Sequence, residues 1–188
     1  MKIGFVFPGQ GSQTVGMGKD IYENYIEAKN MYKYVQDITK KDIAKISFEG
    51  PEEELNKTQN TQICILTMSL AILEVLKKHN IDAQISSGLS LGEYTALIYS
   101  NILNLEEGIK IVQKRGELMQ NLVPKGNWSM AAIIGSDPNT VQEVCKNVKS
   151  GFVVPANYNC TGQIVISGEK EAVEEAMENL KTAGAKKL

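Results

Sequence analysis

The chain has 188 residues, a formal net charge of -2 and a pI near 5.6, a balance that excludes the basic footprint of a nucleic-acid binder. With 43% hydrophobic residues it can build a core as one domain, or as one domain with a small insertion, and no apolar run approaches membrane-spanning length. Cys64, Cys145 and Cys160 are odd in number and widely spaced, so they are expected to be small buried residues in a reducing compartment, with no metal site.

Lys2 to Phe7 predicts a first strand directly after Met1, which leaves no signal peptide and implies a cytoplasmic location; the Asn-x-Ser/Thr triplets at Asn56, Asn127 and Asn159 then carry no meaning. The strand ends in Pro8-Gly9-Gln10-Gly11-Ser12-Gln13, residues that free backbone N–H groups to face a ligand. The next glycine, Gly16, falls two residues too late for a dinucleotide fingerprint, and an ordinary strand-to-helix turn is the plainer alternative. Tyr22 to Val35 predicts a helix. Gln62 to Lys78 predicts another, apolar nearly all round through Ile65, Leu66, Leu70, Leu73 and Leu76, and therefore buried in an α/β layer. Lys77-Lys78-His79-Asn80 closes it with basic and C-capping residues.

Ala83 to Ser87 then predicts a short buried strand and Leu91 to Tyr99 a helix. Between them Gly88-Leu89-Ser90-Leu91-Gly92 has the Gly-x-Ser-x-Gly form of a nucleophile elbow, in which a tight turn holds the serine hydroxyl clear of its surroundings. The chemistry it points to is acyl transfer through an acyl-serine. A glycine-flanked turn with a bystander serine is the competing reading. Leu105 to Met119 predicts an amphipathic helix carrying Arg115, which near Glu117 also fits a surface ion pair.

After Pro124-Lys125-Gly126 the pattern changes. Ser129 to Ile134 predicts a strand, and Asp137-Pro138 opens a helix running to about Val148. Phe152 to Ala156 and Gln163 to Ser167 predict strands separated by a turn through Asn157 to Gly162, followed by a helix from Glu169 to Ala183. Ala185 to Leu188 begins another strand. That order is a ferredoxin-like unit lacking most of its last strand.

These residues resemble the malonyl-CoA:acyl carrier protein transacylases and the related acyltransferase domains of polyketide and fatty-acid synthases. The resemblance rests on Phe7 to Gln13, Thr58-Gln59-Asn60-Thr61-Gln62, the elbow Gly88 to Glu93, and Lys114-Arg115-Gly116 with Met119. It continues through Met130 to Gly135, Ala156 to Asn159 and Gln163 to Gly168, in the family's order and over essentially the whole chain. The resemblance implies an α/β fold, with an α/β-hydrolase-like larger subdomain over residues 1–123 and an inserted ferredoxin-like smaller subdomain over 124–188. It implies transfer of malonyl from malonyl-CoA to the phosphopantetheine thiol of acyl carrier protein, in fatty-acid biosynthesis, with no bound cofactor. Ser90 is implied as nucleophile, the backbone N–H groups of Gln10 and Leu91 as the oxyanion hole, and Arg115 as the fork for the malonate carboxylate.

Departures from the family pattern are Leu89 where histidine usually precedes the nucleophile, Trp128 where a small residue is common, and Ile63 where proline is frequent. Leu89 and Trp128 are expected to reshape the acyl pocket. The family's catalytic histidine belongs to a segment after the small subdomain, and the one histidine here is His79. A five-residue strand of roughly 17 Å separates His79 from Ser90, too far for proton transfer, so the chain is expected to be a C-terminally shortened form without its base. A polyketide-pathway acyltransferase, a serine acyl hydrolase, and a catalytically incompetent fragment that binds carrier protein are the alternatives.

Overall fold

The chain divides into two compact α/β units, residues 1–123 and 124–188. The computed structural model describes residues 2–122 and 127–187, so the Pro124-Lys125-Gly126 link lies outside the described residues.

In the first unit, strand β1 (Gly4–Phe7) lies parallel to β2 (Ile85–Gly88), with Gly4 opposite Ile85 and Phe7 opposite Gly88. A parallel pair demands a crossover, supplied here by the helices between the two strands. The in-step register ends both strands at one level, which brings the loop after Phe7 beside the turn after Gly88. One stretch expected as a single helix is two, α1 (Lys19–Asn24) and α2 (Ile26–Thr39), because Tyr25 between them is extended at φ -125°, ψ 123°. Aromatic packing accounts for the break: Tyr22 sets its ring 5.3 Å from Tyr32 and 5.1 Å from Phe48, and Tyr25 turns to meet His79 edge-on.

Periodicity did not foresee α3 (Ile43–Glu49) and α4 (Glu52–Leu55), which are too short to show a pattern, although Asp42 caps α3 by accepting from the Lys45 N–H at 3.0 Å. The central helix α5 (Thr58–Lys78) begins ahead of the expected Gln62 and packs on α2, on α6 (Leu91–Tyr99) and on α7 (Leu105–Asn121). By length and composition α5 could cross a membrane, contrary to the expectation that no run approaches that length. Its apolar stretch is 67% buried within the protein, as in a core helix. Ile63, Cys64, Ile65 and Leu66 join Val35, Leu55, Leu91 and Ile109 in one core.

The second unit holds three antiparallel strands, β3 (Trp128–Ile134), β4 (Val153–Cys160) and β5 (Gln163–Glu169), in the order β3-β5-β4. Helices α8 (Pro138–Asn147) and α9 (Lys170–Thr182) bury Val141, Cys145, Ala172, Val173 and Leu180 with Ile133, Val153, Ile164 and Ile166 of the sheet. Asp137 caps α8 as read from the sequence, accepting from the Asn139 and Thr140 N–H groups. The turn expected over Asn157 to Gly162 is shorter, because β4 continues to Cys160 through irregular pairing at Pro155/Asn157 and Tyr158/Cys160. Cys160 is consequently exposed at the strand end, against the expectation of burial, whereas Cys64 and Cys145 are buried. Lys187 makes an isolated antiparallel bridge to Ile134.

Candidate active site

The turn after β2 is set by backbone crowding. A Cβ on Gly88 would stand 2.0 Å from the Gly92 carbonyl carbon, and one on Gly92 would stand 2.2 Å from the Phe7 oxygen. A Cβ on Gly9 would stand 2.8 Å from the Leu89 oxygen. The three glycines therefore let β1's loop, the elbow and the first turn of α6 touch through their backbones. Between them Ser90 sits at φ 52°, ψ -98°, a conformation that side-chain-bearing residues rarely adopt. It occupies the N-cap position of α6 without making a side-chain cap hydrogen bond, which leaves the hydroxyl available.

Comparing two substitutions isolates the strain at Ser90. Ser90→Gly and Ser90→Ala both lose the hydroxyl, but only alanine keeps a Cβ at positive φ. Ser90→Gly is expected to be the more stable of the two by about 1 kcal/mol in urea unfolding. Equal midpoints would show that the backbone there is unstrained.

The hydroxyl's partner is Arg115. Its Nη2 donates to Ser90 Oγ at 2.8 Å and its Nη1 to Gln62 Oε1 at 2.6 Å, with the guanidinium carbon 5.5 Å from the centre of the Tyr94 ring. Glu117, the candidate ion-pair partner in the sequence, pairs instead with Lys114 at 3.8 Å. Arg115 reaches this position because α7 lies close against the start of α5: a Cβ on Gly116 would stand 3.0 Å from the Gln59 Cα.

Gln10 stands in the loop after β1, exposed, with Nε2 donating to Thr58 Oγ1 at 3.3 Å and Oε1 accepting from Gln62 Nε2 at 3.4 Å. Leu91 is fully buried, and as the first residue of α6 its N–H has no intrahelical acceptor. Leu89 is 57% exposed at the elbow, and Trp128, at the start of β3 in the other unit, sets its ring edge-on to Phe152.

His79 caps the C-terminal end of α5, exposed, and joins none of these contacts among the described residues. Cys64 is not a rival nucleophile, since burial pushes its thiol up to about 11. Among the described residues no cluster of His, Cys, Asp and Glu could hold a metal. Gln62 and Tyr94 belong to the site without having been assigned a role from the sequence. The available signal for Gln62 was a polar side chain opening a helix that is otherwise apolar nearly all round.

A strained serine between two close-packed glycines, with a guanidinium on its hydroxyl, is the kind of site used by serine-nucleophile enzymes of acyl-group chemistry. The family model that matches residues 4–188 is described as the acyl transferase domain, and the chain belongs to that family. It is 42% identical over 189 residues to the malonyl CoA-acyl carrier protein transacylase of Staphylococcus aureus (strain MRSA252), covering 100% of this chain and 61% of that protein. The transacylase of the same name from Bacillus subtilis (strain 168) is 43% identical over 99% of this chain and 59% of its own length. Among solved structures, the malonyl CoA-acyl carrier protein transacylase from Clostridium perfringens superposes with a TM-score of 0.89 at 46% identity, over 100% of this chain and 60% of that one. A complex of a type II polyketide acyl-carrier protein with its malonyl-transacylase gives 0.87 at 40% identity, over 100% of this chain and 61% of that one. The chain thus spans about three fifths of the length of these relatives.

Proposed function

We propose that the protein transfers malonyl from malonyl-CoA to the phosphopantetheine thiol of acyl carrier protein, in cytoplasmic fatty-acid biosynthesis. Its larger unit is read as α/β-hydrolase-like and its smaller as ferredoxin-like, the latter supported by the β3-β5-β4 order and the Lys187 bridge beside β3. The observation that carries the function is the 2.8 Å contact of Arg115 with Ser90 Oγ. A malonyl ester on that oxygen bears its free carboxylate only two carbons beyond the ester carbonyl. A guanidinium that already touches Oγ is therefore within reach of it, and two parallel N–H···O bonds to a carboxylate exceed one to a neutral hydroxyl.

In the first half-reaction Ser90 Oγ bonds to the thioester carbonyl carbon, and collapse of the tetrahedral adduct breaks the C–S bond and releases coenzyme A as its thiol. In the second, the carrier thiol attacks the malonyl-serine and the C–O bond breaks, returning the proton to Oγ. Negative charge on the adduct oxygen falls to the N–H groups of Leu91 and Gln10, from the start of α6 and the loop that Gly9 holds against Leu89. The proton acceptor for Oγ is assigned to a group other than His79, which closes α5 ahead of β2 while Ser90 follows it. A serine hydroxyl is a weak nucleophile without an adjacent base, so the rate of acylation depends on that acceptor.

The test is intact-mass analysis after incubation with malonyl-CoA, with peptide mapping of the adduct. Gain of a single malonyl group on Ser90, lost in Ser90→Ala, is the expected result. Labelling that survives Ser90→Ala, or none at saturating donor, overturns the reading.

A further inference from the structure

We infer that Gln62 is the positioning residue that selects the donor's acyl group, by holding the Arg115 guanidinium in the orientation that meets a carboxylate on Ser90. The inference rests on the malonyl reading above. Gln62 is 0% exposed, and both ends of its amide are engaged. Oε1 accepts from Arg115 Nη1 at 2.6 Å, and Nε2 faces Met119 Sδ at 3.0 Å and Gln10 Oε1 at 3.4 Å. The orientation of the amide is determined by these partners: flipped, it would set a donor against the donor Nη1 and an acceptor against two acceptors. A buried amide so constrained is a rigid support.

The consequence falls on Arg115. An arginine side chain is long and rotamer-rich, and freezing it only when substrate arrives would subtract from binding. Gln62 fixes one edge of the guanidinium through Nη1 and the Tyr94 ring faces it, so Nη2 is already aimed at Oγ in the free protein. A neutral acceptor suits this role. A carboxylate at position 62 would pair with the guanidinium itself and compete with the substrate's carboxylate, whereas the amide holds the group and leaves its charge uncompensated. Donors without a free carboxylate make no use of the arrangement.

The experiment measures second-order rate constants for acylation of Ser90 by malonyl-CoA and by acetyl-CoA, read by intact mass, in the parent protein, Gln62→Met, Gln62→Glu and Arg115→Ala. Melting temperatures are recorded for each. Methionine keeps an unbranched side chain of similar length without the acceptor, and glutamate keeps shape and acceptor but adds charge. Gln62→Met is expected to slow malonylation roughly 10- to 100-fold while acetylation stays within about twofold, the size of effect that misplacing a reacting partner produces. Gln62→Glu, which also sets an acceptor against Met119 Sδ and Gln10 Oε1, is expected to lower the melting temperature and to slow malonylation further; whichever of the two variants still melts cooperatively carries the test.

A malonyl-to-acetyl ratio unchanged in the folded Gln62 variants, while Arg115→Ala shifts it, overturns the inference and leaves the malonyl reading standing. Both donors slowed equally would also overturn it, since Gln62 would then act through packing or the Gln10 loop. A ratio that Arg115→Ala leaves unchanged removes the malonyl reading and this inference with it.

Discussion

Arg115→Ala is expected to lower acylation of Ser90 by malonyl-CoA about 100-fold or more while acylation by acetyl-CoA holds steady or rises. Two opposite consequences of one group produce that crossing. With malonyl bound, the guanidinium meets a carboxylate and both charges are satisfied; with acetyl bound, the same guanidinium faces a methyl group and loses solvent without gaining a partner. Alanine removes the attraction and the penalty together. The ratio of the two rate constants is the quantity to follow, since a general loss of folded protein would scale both alike. Equal slowing of the two donors would make the 2.8 Å contact with Ser90 a structural one.

Gly92→Ala is expected to cost about 3 kcal/mol or more in urea unfolding and to abolish Ser90 acylation. The added methyl would stand 2.2 Å from the Phe7 oxygen and 2.9 Å from the Pro8 oxygen. Both neighbours are backbone atoms at the end of β1, so no side chain can swing away to relieve the overlap. The first turn of α6 has to move off the strand, taking the Leu91 N–H and Ser90 with it. Gly11→Ala serves as the comparison, because a Cβ there meets nothing within 4 Å and only its φ of 108° opposes the change. A Gly92→Ala protein as stable as Gly11→Ala would show that the elbow tolerates separation from β1.

Local chemistry was legible in the sequence wherever it acts over a few residues. The Gly88-to-Gly92 elbow, the Asp137-Pro138 start of α8 and the uniform apolarity of α5 each depend on backbone sterics, on a cap or on burial all round, and neighbouring residues alone decide those. Breaks imposed from a distance were not legible. Tyr25 is extended although its neighbours favour a continuous helix, because Tyr22, Tyr32 and Phe48 pack together only when the chain turns there. Cys160 is exposed because β4 follows β5 further than its own turn-forming residues suggest, the ladder's hydrogen bonds outweighing local preference.

The same division runs through the site. Serine at 90 between its glycines is a property of five consecutive residues, and the proposal that Arg115 meets a carboxylate came from the family's pattern of residues. That Arg115 bonds Ser90 and Gln62, across separations of 25 and 53 residues, was decided by tertiary structure alone. Three elements have to meet for it: the elbow at the end of β2, the start of α5 and the middle of α7. Their meeting depends on the axial rotation of two helices and on how closely Gly116 lets them approach, and a rotation of one residue carries a side chain about 100° around the axis. Residue types along the chain state which bonds could form; only the packed helices state which two ends of a guanidinium they hold.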